Sequence, residues 1–122
     1  MSFEIVPGIP NVADFLNKLS YKCKNNEASA DEFLLHKKLK HTFELLSIDP
    51  FYPGLNSHEI GELTIRYGKK VFTSYVENNK PNAKRIYWVY GPNQGQITII
   101  SIEPHPNDKA NSYKKIKLSH EP

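Results

Sequence analysis

The sequence predicts an α+β fold, in which an N-terminal strand precedes an αα-hairpin that packs on one face of an antiparallel β-meander. Two observations predict it. Apolar residues between positions 11 and 48 recur every three to four residues, which is typical of amphipathic helices. After position 62 the apolar residues are mainly β-branched or aromatic and fall in short alternating runs, which is typical of strands. A helical part followed by a strand-rich part indicates the α+β class.

The first half of the chain carries one short strand and the two helices. Residues 3–6 alternate and stop at Pro7, so they predict a strand. Asn11 is the predicted cap of the first helix. The second helix opens at the capping box formed by Ser29 and Glu32, and it ends before Pro50. The apolar stripes of the two helices contain Phe15, Leu16 and Leu19 in the first, and Leu35, Leu39, Phe43 and Leu46 in the second.

The second half is predicted to form the sheet. Residues 49–61 indicate an irregular loop, because they contain two prolines and two glycines. Strands are predicted at 63–67, 71–76, 85–90 and 96–103, with a hairpin loop at 91–95. We expect the helical stripes to pack on Ile86, Trp88, Ile100 and Ile102 and to leave the other face of the sheet uncovered.

Composition limits the class of protein. The length of 122 residues fits a single domain, residues 1–122. With 39% hydrophobic and 24% charged residues, the chain is not a low-complexity disordered sequence. It has no apolar run long enough for a membrane helix, no secretory signal pattern and one cysteine, Cys23. We therefore expect a cytoplasmic protein without disulfides that does not associate with membranes.

Positive charge is concentrated in the second half. Residues 1–62 carry six lysines against nine acidic residues, a net charge of −3. Residues 63–122 carry ten lysines or arginines against four acidic residues, a net charge of +6. This asymmetry indicates that the second half of the chain faces a polyanion such as RNA. The alternative interpretation is a solvated surface rich in lysine, which has the same composition.

Three segments resemble the RelE/ParE toxin superfamily. Residues 85–90 read RIYWVY, residues 96–102 read QITIISI and are followed by His105, and residues 45–50 read LLSIDP at the end of the second helix. The superfamily has a strand, an αα-hairpin and a three-stranded antiparallel meander, and the resemblance covers nearly the whole chain. The chain departs from many members in having only two arginines, Arg66 and Arg85, and a longer loop at 77–84.

The resemblance implies a toxin of a toxin–antitoxin module. RelE-like members cleave mRNA on the ribosome by attack of a ribose 2′-OH on the adjacent phosphate, with no metal or other cofactor. A cognate antitoxin is then the expected partner, bound across the face that carries Arg85. Two alternatives stay open: a non-enzymatic ParE-type poison of DNA gyrase, and an inactive member or unrelated domain that only binds a partner.

The resemblance also implies which residues act. Arg85 takes the position of the family's phosphate-binding arginine, and a guanidinium can hold a phosphate with two parallel hydrogen bonds. His105 and His58 are the candidates for proton transfer, because imidazole titrates near neutral pH. The sequence has no P-loop, no G-x-S-x-G motif and no spacing that proposes a metal site. The residues predicted to bind RNA are Lys69, Lys70, Tyr87, Tyr113 and Lys114.

Overall fold

The computed structural model describes residues 2–78, 80–104 and 112–122 and has the predicted α+β architecture. None of the helices in these ranges has the length and apolarity needed to cross a membrane. In chain order the elements are β1 (Glu4–Pro7), α1 (Asn11–Lys24), α2 (Ala30–Ile48), a 3-10 helix (Pro53–Leu55), β2 (His58–Glu59), α3 (Gly61–Tyr67), β3 (Phe72–Tyr75), β4 (Lys84–Tyr90), β5 (Gln96–Pro104) and a second 3-10 helix (Ser112–Lys115).

The five strands form one mixed sheet in the order β1-β5-β4-β3-β2. Strands β3, β4 and β5 pair antiparallel in sequence order, as predicted, and β2 pairs antiparallel with β3. β1 joins the sheet parallel to β5, with Ile5 opposite Ile97. Beyond β1 the C-terminal segment, residues 116–122, lies along the edge of β5, because Ser119 N–H donates to the carbonyl of Ile100. This segment thus continues the edge pairing of β5 beyond β1, as far as Ile100.

The two predicted helices form at the predicted places. The capping box is present, since Ser29 Oγ accepts from Glu32 N at 3.1 Å and Glu32 Oε1 accepts from Ser29 N at 3.0 Å. The prediction that Asn11 caps α1 is wrong, because Pro10 occupies the N-cap position and Asn11 is the first helical residue. The free N–H of Val12 donates instead to Ser119 Oγ at 3.1 Å, so the C-terminal segment also caps this helix.

The predicted strand at 63–67 is wrong, because these residues belong to α3. Leu63 is fully buried and Tyr67 is half-buried four residues later, whereas Ile65 between them is 85% exposed. That pattern places one face of a short helix on the core. Gly68 ends the helix with φ of 92°, a left-handed conformation that glycine adopts without a steric penalty. The short strand β2 lies inside the stretch that was predicted to be a loop.

The sheet has a core on each face, so the expectation of an uncovered face is wrong. On one face the αα-hairpin packs through Leu19, Leu39 and Leu46 against Ile86 and Trp88. The second core contains Leu63 of α3, Ile116 of the C-terminal segment, and Tyr87, Val89 and Ile100 of the sheet. This second face is the one that carries Arg85, because residues 85, 87 and 89 alternate with 86 and 88 along β4.

A β-bulge explains why Ile100 does not face the helices. Tyr87 pairs with Ser101 and Trp88 pairs with Ile99, so Ile100 is an extra residue in β5. The bulge reverses the alternation along the strand. Ile99 and Ile102 therefore face the αα-hairpin, while Ile100 belongs to the opposite core.

Candidate functional site

Arg85 lies at the start of β4, half-buried, on the face that α3 and the C-terminal segment cover in part. Its neighbour in β3 is Tyr75, and its neighbour in β5 is Glu103. The guanidinium carbon is 3.8 Å from the centre of the Tyr75 ring, a cation–π contact that fixes the plane of the guanidinium. None of the carboxylates that the structure describes forms an ion pair with Arg85. The charge is thus positioned but not neutralised by those groups.

Two buried polar atoms on this face have no hydrogen-bond partner among the described residues. They are Arg85 Nε and the hydroxyl oxygen of Tyr87. A buried polar group without a partner costs about 1–3 kcal/mol. Burial raises the pKa of Tyr87, which therefore stays protonated at neutral pH and can donate a hydrogen bond.

Tyr113 is the second tyrosine whose charge state Arg85 influences. It lies half-buried in the second 3-10 helix, and its carbonyl accepts a hydrogen bond of 2.8 Å from Arg66 Nη1 of α3. Burial and the carboxylate of Glu62 raise the pKa of Tyr113, an effect that the nearby Arg85 opposes. Its phenol is consequently protonated at neutral pH and can donate a hydrogen bond.

The structure does not bring His58 into contact with Arg85. His105 lies outside the described residues. His58 is exposed on the edge strand β2, and its Nδ1 is 2.9 Å from the carbonyl oxygen of Asn56. His58 pairs with Thr73, and Thr73 pairs with Tyr87, so His58 lies two strands away from Tyr87. Tyr87 is in turn two residues from Arg85 along β4. Strand spacings then give about 12 Å between the Cα atoms of His58 and Arg85, at the limit of what two side chains can bridge.

The predicted RNA-binding residues do not form one surface. Lys69 lies at the other end of β4, where its Nζ is 2.6 Å from the carbonyl of Tyr90 and 2.9 Å from Glu121 Oε1. Tyr90 lies five residue steps along β4 from Arg85, or about 17 Å, so Lys69 and its exposed neighbour Lys70 are remote from the site. Direct stacking of RNA on Tyr87 is also excluded as the structure stands, because this residue is 0% exposed.

Tyr113 and Lys114 lie side by side in the second 3-10 helix, with Lys114 exposed. Sequence reasoning missed Tyr75 and Glu103, although both fall in predicted strands. Only the pairing of β3, β4 and β5 shows that they flank Arg85. The half-buried guanidinium of Arg85, held on the Tyr75 ring, can bind an anion and stabilise additional negative charge on it.

The part of the chain that the structure describes contains no cluster of three or more His, Cys, Asp or Glu side chains that could hold a metal ion. Comparisons of the chain with protein-family models, with curated proteins and with solved structures find no match.

Proposed function

We propose that this chain is the toxin of a toxin–antitoxin module and an endoribonuclease that cleaves mRNA on the ribosome. The observation that carries the proposal is the state of Arg85: half-buried, stacked on Tyr75 and without an ion pair to any described carboxylate. A structural arginine in such a position is expected to pair with a carboxylate, whereas an anion-binding arginine is expected to keep its hydrogen-bonding edge available. The resemblance to RelE-like toxins identifies the anion as an RNA phosphate.

In the proposed reaction the 2′-oxygen of a ribose forms a bond to the adjacent phosphorus, and the bond from phosphorus to the 5′-oxygen breaks. The 2′-hydroxyl proton passes to a base and the 5′-oxygen receives a proton from an acid, so the products end in a 2′,3′-cyclic phosphate and a 5′-hydroxyl. Arg85 stabilises the charge that develops on the phosphoryl oxygens, and Tyr113 donates a hydrogen bond to them. His105 and His58 remain the candidates for proton transfer.

The test is induced expression in bacterial cells, followed by mapping of mRNA 5′ ends. The proposal predicts new 5′-hydroxyl ends within translated regions and arrest of growth, both lost in Arg85→Ala. Lys40→Ala is a matched control, because it removes an exposed cation from α2 on the opposite side of the sheet. Growth arrest without any new mRNA ends would contradict the proposal.

One observation favours a second function, the ParE-type poisoning of DNA gyrase. Among the described residues, no histidine contacts Arg85, so these residues alone do not assemble a proton-transfer pair. A gyrase poison requires a binding surface and no such pair. In the same induction experiment, DNA damage in place of mRNA cleavage would support this alternative.

We also propose a cognate antitoxin as the partner. The proposed phosphate site has no carboxylate paired to Arg85 within the described residues, so an acidic segment of a partner is suited to occupy it. Co-purification with the product of a neighbouring gene, at low and high salt, tests this. Absence of a complex at low salt would contradict it.

A further inference from the structure

A pocket of about 210 Å³ lies next to the Arg85 site, at the edge of β5 that β1 does not cover. Its walls come from the first turns of α1, from the end of β5 and from the C-terminal segment. It is smaller than the ~300–1,000 Å³ of pockets that hold drug-sized ligands, so it suits one planar group. The lining residues with functional groups or an aromatic ring are Asn11, Phe15, Ser101, Glu103 and Lys117.

Phe15 gives the pocket an aromatic wall. The αα-hairpin core was expected to bury this residue, yet Phe15 remains 40% exposed while its neighbours Leu16 and Leu19 pack inside. An exposed aromatic ring at the wall of a small pocket is the surface on which unpaired RNA bases stack.

Glu103 connects the pocket to the phosphate site. It is the direct neighbour of Arg85 across the ladder, which puts their Cα atoms about 4.5–5.5 Å apart. Its carboxylate is held at the pocket wall, because Oε2 lies 3.4 Å from Ser101 Oγ and accepts from Lys117 N at 3.2 Å. A carboxylate offers about four acceptor positions, so acceptor capacity remains for a ligand.

The charges around Glu103 select among ligands. Arg85 is the cross-strand neighbour of Glu103, and Lys117 lines the same pocket, so a cationic side chain of a protein partner would enter a pocket with two positive charges nearby. An uncharged base with an edge of hydrogen-bond donors would not be repelled by these charges. Guanine is the base whose Watson–Crick edge carries two adjacent N–H donors, N1–H and the 2-amino group, which match the two oxygens of a carboxylate.

We propose that this pocket binds a guanine base of the RNA, stacked on Phe15 and hydrogen-bonded by Glu103, next to the phosphate that Arg85 holds. The inference rests on the proposed function and adds a base preference to it. Glu103 is then a specificity-determining residue, and cleavage occurs adjacent to guanine.

Binding can be tested without cleavage. The isotopically labelled protein is titrated with guanosine 5′-monophosphate and adenosine 5′-monophosphate while the backbone amide signals of Val12, Ser101 and Ile102 are followed by NMR. We expect the guanine nucleotide to shift these signals with an affinity about 10-fold or more above that of the adenine nucleotide. Glu103→Gln should remove the difference and keep the fold, since glutamine retains an oxygen to accept from Lys117 N. Glu44→Gln, an exposed control on α2, should leave the difference unchanged.

Equal affinities for the two nucleotides would overturn the inference. N-acetylarginine amide represents the cationic side chain of a protein partner, and a stronger response of these signals to it than to the guanine nucleotide would also overturn the inference. Cleavage mapping separates it from the proposed function. If wild type and Glu103→Gln cut RNA with the same base preference, the inference is wrong and the proposed function stands. If no RNA is cut, yet the guanine nucleotide binds in a Glu103-dependent manner, the proposed function fails and the base specificity of the pocket is supported.

Discussion

Arg85 and Tyr75 face each other across strands β4 and β3, with the guanidinium carbon 3.8 Å from the ring centre. The contact holds a long and otherwise flexible side chain in one orientation before any ligand binds. A cation–π contact of this kind contributes about 0.5–2 kcal/mol, depending on how far it is desolvated. If Arg85 binds a phosphate, part of the affinity for RNA therefore depends on Tyr75.

Replacement of Tyr75 by leucine should weaken RNA binding without unfolding the protein. We expect the dissociation constant for a labelled single-stranded RNA, measured by fluorescence anisotropy, to rise about 2- to 30-fold, the range that corresponds to the cation–π energy. Tyr75→Phe keeps the ring and should bind within a factor of about two of wild type. Tyr21→Leu serves as a control, because Tyr21 is 60% exposed on α1 and distant from the sheet face that carries Arg85. Equal affinities for wild type and Tyr75→Leu would show that the contact does not position Arg85 for RNA.

Trp88 should be a major contributor to stability. It is 0% exposed, its Nε1 donates to Ser74 Oγ at 2.8 Å, and its ring stacks on Phe72 at 4.7 Å between centres. Trp88→Ala should reduce the free energy of unfolding by about 3–5 kcal/mol in urea denaturation. Ile65→Ala, at a position that is 85% exposed, should change it by less than about 0.5 kcal/mol. A loss of under about 1 kcal/mol for Trp88→Ala would place Trp88 outside the core.

Glu77 should make stability depend on pH. Its buried carboxylate accepts from Lys84 N at 3.0 Å and from Lys80 Nζ at 3.0 Å, and Lys38 Nζ lies 3.4 Å away. Burial acts to raise the pKa of Glu77, but the hydrogen bond from Lys84 and the two ammonium groups outweigh it, so the pKa lies below the usual value of a glutamate. A lowered pKa in the folded state means that the charged form stabilises the fold.

This contribution is present above the unfolded-state pKa, near 4.5, and is lost as the pH falls through the lower folded-state pKa. Glu77→Gln should therefore lower the free energy of unfolding at pH 7 by about 1–3 kcal/mol. The difference from wild type should shrink as the pH falls below the unfolded-state value of 4.5. Glu27→Gln, at an exposed position, is the control. Denaturant titrations at pH 7 and pH 3.5 measure the effect, and a difference that is the same at both values would contradict the account.

The capping box of α2 provides a prediction that depends on local structure alone. Ser29 Oγ and Glu32 Oε1 each accept a backbone N–H at the start of the helix. Ser29→Ala should lower the free energy of unfolding by about 1 kcal/mol. Ser20→Ala, in the interior of α1 on an exposed face, should be neutral or slightly stabilising, because alanine is the better helix former. Thermal unfolding of the two variants distinguishes them, and equal melting temperatures would contradict a role for the cap.

Local patterns were sufficient to predict the αα-hairpin, because the apolar stripes through Leu19 and Leu39 and the capping box at Ser29 act over only a few residues. They were insufficient for α3. Leu63, Ile65 and Tyr67 alternate as a strand would, while Leu63 and Tyr67 also share one face of a helix. Packing of that face against the second core decides the outcome, and packing is not visible in a stretch of seven residues.

The candidate site depends on more than local patterns. Arg85 was proposed because the resemblance places it where the family has its phosphate-binding arginine, at the start of a strongly β-forming segment. Its contact with Tyr75 depends on how β3 and β4 pair, and the long loop at 77–84 does not fix that register in the way a two-residue turn does. The bulge at Ile100 likewise depends on pairing between strands, so the sequence alone did not reveal which face that residue occupies.

The most direct test of the central claim is cleavage of a translated mRNA on purified ribosomes under single-turnover conditions. We predict that wild type generates fragments with 5′-hydroxyl and 2′,3′-cyclic phosphate ends, and that Lys40→Ala does so at the same rate. Arg85→Ala should be slower by about 10²-fold or more, as for loss of a group that stabilises charge in the transition state. Arg85→Lys should lie between the two, because lysine keeps the charge but not the two-pronged contact. Equal rates for wild type and Arg85→Ala, or no cleavage by wild type, would contradict the account.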